Sequence, residues 1–157
     1  VGWDAFDGSQ IEFSFSSKNC TAYGKSAQQL QSEGYIDSAG NIMPEYDAAT
    51  AHSGGPWRMP TKDELSLLLN NCDAEWTASN GVYGLCVKGR GKYSSRSVFI
   101  PAASSGHFSS CEYPGSDGYL WSSTWDLNSG FHAWCLAFAS SSVVVMQRSV
   151  DYGIINN

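Results

Sequence analysis

The chain has 157 residues, of which 13% are aromatic and only 15% charged, and its formal net charge is -6. That length accommodates one domain with a sizeable core, and the aromatic, Gly- and Ser-rich composition excludes an intrinsically disordered chain. The acidic balance argues against a nucleic-acid or anionic-membrane partner, and no apolar run approaches the roughly 20 residues of a membrane span.

The first readable element is a strand, because Ile11, Phe13 and Phe15 alternate with Glu12, Ser14 and Ser16. A short helical pattern runs from Lys25 to Glu33 and stops at Gly34, the C′ position. Asp37 to Asn41 is a turn cluster. Asp47 is placed to cap a brief helical turn through His52, which Gly54-Gly55 breaks. The clearest helix spans Lys62–Asn71: Pro60 fixes the entry, Thr61 and Glu64 have capping-box spacing, and Leu65, Leu68 and Leu69 follow.

Strand and turn signals fill the rest. Glu75-Trp76-Thr77 and Tyr83 to Lys88 flank Ser79-Asn80-Gly81, a strong hairpin signal. Ser97 to Ile100 reads as a strand stopped by Pro101, and residues 102–118 read as a long surface loop. Strands are expected around Tyr119–Ser123, Ala133–Ala139, Ser142–Gln147 and Tyr152–Ile155. Helices in front and strands behind make the class α+β, in one domain over residues 1–157 without repeat or linker.

Five cysteines, Cys20, Cys72, Cys86, Cys111 and Cys135, leave at least one unpaired within a monomer. The sequence leaves the pairing open. Val1 opens the chain without an initiator Met or a signal-peptide pattern, which fits a processed mature form and a trimmed piece equally. The low Lys content and the abundance of Ser, Gly, Trp and Tyr lean toward an exported protein.

Two segments carry a family resemblance: Asp47-Ala48-Ala49-Thr50 through Gly55-Pro56-Trp57-Arg58-Met59-Pro60-Thr61, and Tyr119-Leu120-Trp121-Ser122-Ser123-Thr124. Between them, in order, come Asn70-Asn71-Cys72, Trp76-Thr77, Asn80-Gly81-Val82-Tyr83-Gly84 and Val98-Phe99-Ile100-Pro101-Ala102-Ala103. Over about residues 22–153 the chain resembles the Fibrobacter succinogenes major paralogous domain family. The resemblance implies a C-type-lectin-like fold with two short helices, mostly antiparallel strands and a loop-rich C-terminal half. It also implies an exported or cell-surface protein of Bacteroidetes-type bacteria, similar to the variable proteins of diversity-generating retroelements. The chain departs from the family toward its end, where Val143 to Val150 and Ile154-Ile155-Asn156-Asn157 replace the usual strands. A diversified binding segment and a drifted copy both fit that departure.

The candidate contact surface lies there. Between Trp121 and Trp134 runs a loop rich in rings and adaptable polar groups, the combination that serves antibody loops. Its candidate ligand-binding residues are Trp125, Asp126, Asn128, Phe131 and His132, joined by Gln147, Ser149, Asp151 and Tyr152 from the strands that follow. Trp125 and Phe131 read equally as rings packed beneath the loop. Trp57, Trp76, Trp121 and Trp134 are assigned to the core with Tyr119, Leu136 and Phe138.

No cofactor and no resident metal are expected. Calcium is the alternative that the lectin resemblance brings, but Asp117, Asp126 and Asn128 offer few carboxylates, and the sugar-binding tripeptides of C-type lectins are absent. His107-x3-Cys111 and His132-x2-Cys135 have plausible zinc spacing, and a Cys111–Cys135 disulfide is a further alternative; loop histidines and small buried thiols are the plainer reading. The Arg58-Met59-Pro60-Thr61 run with Glu64 is similar to one in formylglycine-generating enzymes, yet their cysteine pair has no counterpart here, and no nucleophile elbow, His-Glu-x-x-His or phosphate loop occurs. The chain is therefore expected to be a non-catalytic binding or display module, extracellular or on the cell surface, taking a protein or glycan ligand. The alternative is an adhesin-type structural domain that binds a protein partner.

Overall fold

The computed structural model describes residues 24–102, 105–107, 110–112, 115–150 and 153–154. The strand expected at Ile11–Phe15 lies outside them, as do Asp151 and Tyr152.

Side-chain caps start the three α-helices among the described residues. In α1 (Ala27–Ser32) Ser26 Oγ accepts the Gln29 N–H at 3.2 Å and Gln29 Oε1 accepts the Ser26 N–H at 2.8 Å. Helix α2 (Ala48–Ser53) starts at Asp47, whose Oδ1 accepts the Thr50 N–H at 3.0 Å, and ends at Gly54. Helix α3 (Lys62–Asn71) carries the capping box read from Thr61 and Glu64. The expected pair of short helices is thus three, because the Asp47 cap sustains a full helix where a brief turn was read.

Every described strand pairing is antiparallel. Strands β1 (Cys72–Ser79) and β2 (Val82–Gly89) form the hairpin around Asn80 and Gly81, both at positive φ, 50° and 81°. Strand β3 (Ser97–Pro101) completes a sheet in the order β1-β2-β3. The stretch expected as a plain loop over 102–118 holds β4 (Ser105–His107) and β5 (Ser110–Glu112), and β6 starts at Asp117. With β9 (Gly153–Ile154) they form the sheet β5-β4-β9. The third sheet, β6-β7-β8, is built from β6 (Asp117–Trp125), β7 (His132–Ala139) and β8 (Ser142–Ser149). The class is α+β, and the described residues after 115 are predominantly strand.

Two cores hold the third sheet from opposite faces. Leu136 and Phe138 of β7, two residues apart and hence on one face, pack with Leu65 of α3, Leu85 and Val87 of β2, and Ala102. Burying each Leu-sized side chain there contributes about 1.5–3 kcal/mol. Gly118 permits the close approach of Phe138, since a Cβ at that position would stand 2.2 Å from the ring. On the other face Trp125 packs with Ala27, Leu30 and Ile36, against Ala133 and Val150.

The two signature segments of the sequence meet in space. Ser123 N–H donates to the Pro60 carbonyl at 2.8 Å, and Lys62 N–H donates to Thr124 Oγ1 at 3.0 Å. Asp47 adds a second tie, because its Oδ2 accepts the Met59 N–H at 2.9 Å while its Oδ1 caps α2.

Of the tryptophans assigned to the core, Trp76, Trp121 and Trp134 are half-buried, but Trp57 is 68% exposed. Gly54 and Gly55 turn the chain through positive φ just before it, and the Trp57 backbone is held by the Gly54 carbonyl and the Thr50 hydroxyl.

Candidate ligand-binding face

Alternation along β7 and β8 decides which predicted residues share a surface. His132 faces Ser149 across the ladder, and Trp134 faces Gln147 one step along the same face. The Lys62 ammonium, at the first position of α3, lies 4.7 Å from the Trp134 ring centroid, a cation–π contact. His132, Trp134, Ser149 and Lys62 are half-buried and Gln147 is exposed. The face therefore offers an indole, an imidazole, an amide, a hydroxyl and an ammonium on regular elements.

The loop between β6 and β7 is shaped by its own polar groups. Asp126 Oδ1 accepts the Asn128 N–H at 3.1 Å, an Asx turn, and the Asp126 N–H donates to the His132 carbonyl at 2.9 Å. Ser129 Oγ bonds His132 Nδ1, fixing the imidazole against the loop. Asn128 is exposed, and Phe131 stands 47% exposed.

Two of the candidate contact residues are buried. Trp125 is 5% exposed, with its ring in the second core and its backbone N–H donating to the Gly40 carbonyl at 2.8 Å. A β-bulge between Trp121 and Trp125 shifts the register, so that Trp125 pairs with Ala133 over α1. Asp126 is 6% exposed and committed to the turn. Both shape the loop from beneath. Of the remaining candidates, Asn128, Phe131, His132, Gln147 and Ser149 stay on or near the surface, whereas Asp151 and Tyr152 lie outside the described residues.

The sequence reading missed Trp134 and Lys62. The period of two that places Leu136 and Phe138 together also places His132 and Trp134 on their side of the strand, and that signal was available. Lys62 is set by the contact of α3 with Thr124, which no local pattern reveals.

Comparison with protein-family models, with curated proteins and with solved structures finds no match to this chain. The chemistry of the face therefore rests on its own geometry.

Among the described residues no three His, Cys, Asp or Glu side chains converge as a metal site. His132 and Cys135, read as a zinc half-site, lie three positions apart on a strand and point to opposite faces. Cys135 is a free, fully buried thiol, which removes it from the proposed bridge to Cys111; burial pushes its pKa up to about 11 against the opposing influence of Arg148. Among the described residues no helix is long and apolar enough to cross a membrane.

Proposed function

We propose that this chain is a non-catalytic binding module with a C-type-lectin-like fold, exported or held at the cell surface, and that it captures its ligand on the face built by Lys62, His132, Trp134, Gln147 and Ser149. One observation carries the reading: these five residues, from one helix and two strands, are brought to one side of a braced sheet. An aromatic platform ringed by donors and acceptors suits a sugar ring or a polar peptide. Ser129 and His132 form a pair, and Asp126 Oδ1 accepts the backbone N–H of Asn128.

Leu127 and Phe131, 42% and 47% exposed on the adjoining loop, favour the second reading, an adhesin-type domain that binds a protein partner. An array of immobilised glycans run beside a pull-down with candidate surface proteins separates the two. Retention of a glycan supports the first reading, retention of a protein alone the second, and turnover of any bound probe refutes both. The resemblance to retroelement variable proteins has its own test in the neighbouring DNA. A template repeat that differs from the last hundred or so bases at adenine positions supports diversification of the face, and absence of such a repeat removes it.

A further inference from the structure

The long strands differ in how their open edges are treated. Strand β1 carries the exposed acids Asp73 and Glu75, and β3 is short and ends at Pro101. Strand β6 is bulged, and its outer edge is occupied by Gly40, Asn41, Ile42 and Pro60 through bonds to Ser123 and Trp125 and a bridge to Thr124. Strand β8 has none of these devices. It pairs with β7 in unbroken register from Ser142 to Ser149, contains no proline and no acid, and has Arg148 near its end as its sole charge.

The hydrogen-bond parity of β8 identifies the groups at its open edge. The Val150 N–H donates to the Phe131 carbonyl at 3.1 Å, so the even-numbered positions of this ladder turn their backbone toward β7. The two-residue connection after Ala139 gives the same parity, with Ala139 and Ser142 as its closing pair. The N–H and C=O groups of Val143, Val145 and Gln147 therefore point away from β7, and no residue among those described bonds them. On the face away from α3, Val144 and Met146 stand 46% and 40% exposed beside them.

We propose that this edge is a two-fold interface in which β8 pairs antiparallel with β8 of a second copy, making one continuous six-stranded sheet. The strand is its own complement. With Val145 on the axis, Val145 bonds Val145 of the partner and Val143 bonds Gln147 of the partner reciprocally, using every outward group of that stretch. The same register sets Val144 against Met146 of the partner as a close, non-hydrogen-bonded pair and so buries both exposed side chains. Arg148 falls opposite Ser142, so no like charges meet at the seam. An even residue sum also keeps the faces in phase, which brings the two ligand-binding faces to one side of the joint sheet. The proposal does not depend on what that face binds.

The test is sedimentation equilibrium of the full chain at up to about 100 μM, a range that resolves micromolar association. The expected result is a reversible dimer whose dissociation constant rises at least about a hundredfold in a Val144→Lys, Met146→Lys double variant, since like charges then face each other across the seam. A monomer throughout, or a dimer indifferent to the substitutions, overturns the proposal. If the double variant fails to fold by circular dichroism, mixed single variants decide instead. Val144→Cys chains mixed with Met146→Cys chains should form interchain disulfides well above either alone, and no enrichment in the mixture overturns it equally.

Discussion

Lys62 donates its backbone N–H to Thr124 Oγ1 at 3.0 Å, and the same hydroxyl donates to Asn41 Oδ1 at 2.7 Å. One buried side chain thus joins the start of α3, the end of β6 and the turn after α1. It also fixes where the Lys62 ammonium sits over Trp134. Thr124→Val keeps the shape and leaves both partners unsatisfied, which should cost about 1–3 kcal/mol in urea denaturation. Thr124→Ser should recover most of that loss. Equal stability of the Val variant would show that water replaces the hydroxyl without penalty.

Asp47 is 4% exposed and serves two segments with its two oxygens. Asp47→Ala removes a helix cap and a loop tie together and should destabilise the chain by about 1–2 kcal/mol. Amide exchange at Thr50 and Met59 should accelerate more than exchange in β7. Uniform acceleration would mark Asp47 as an ordinary contributor to global stability.

Acid sensitivity should register at the entry to α3. Hydrogen bonding from the Arg58 guanidinium, then from the Thr61 backbone N–H, lowers the Glu64 pKa to about 2 from its ordinary 4.5. A depressed folded-state pKa stabilises the fold above pH 4.5, and that contribution disappears as pH falls toward 2. The effect is modest, because the Arg58 and Glu64 side chains are 54% and 43% exposed and solvent screens the pair. Glu64→Gln should flatten the melting temperature in that window and lower it at neutral pH. An unchanged acid limb would assign acid sensitivity to other carboxylates.

Two tryptophans should respond in opposite ways. Trp125→Ala empties a site in the second core and should cost about 3–5 kcal/mol. Trp57→Ala, at an exposed position, should stay within about 0.5 kcal/mol of the parent. Thermal melts of the two variants check both values, and a large loss at Trp57 would place its ring in a contact absent from the described residues.

Local chemistry made much of the fold legible. Thr61 with Glu64, Asp47 with Gly54, and Asn80 with Gly81 each encode a cap or turn within a few residues, and each forms as read. What the sequence leaves open or misassigns depends on distant partners. Trp57 and Trp125 have the same side chain, and only the shape of the Gly54-Gly55 turn and the bulge in β6 send one outward and the other into the core. Three of the five residues of the candidate face, His132, Gln147 and Ser149, are visible in the sequence. Trp134 reads from the sequence as a core residue, and Lys62 is brought to the face by its bond to Thr124.

On the proposed reading, Lys62, His132, Trp134, Gln147 and Ser149 act as one contact surface. The most direct measurement is capture of a glycan or protein probe by the parent chain and by the single variants Lys62→Ala, His132→Ala and Gln147→Ala, each with its melting temperature recorded. Each substitution should weaken capture by about tenfold or more, as loss of a contact worth over about 1 kcal/mol requires, with little change in melting. Undiminished capture by all three stable variants would contradict it.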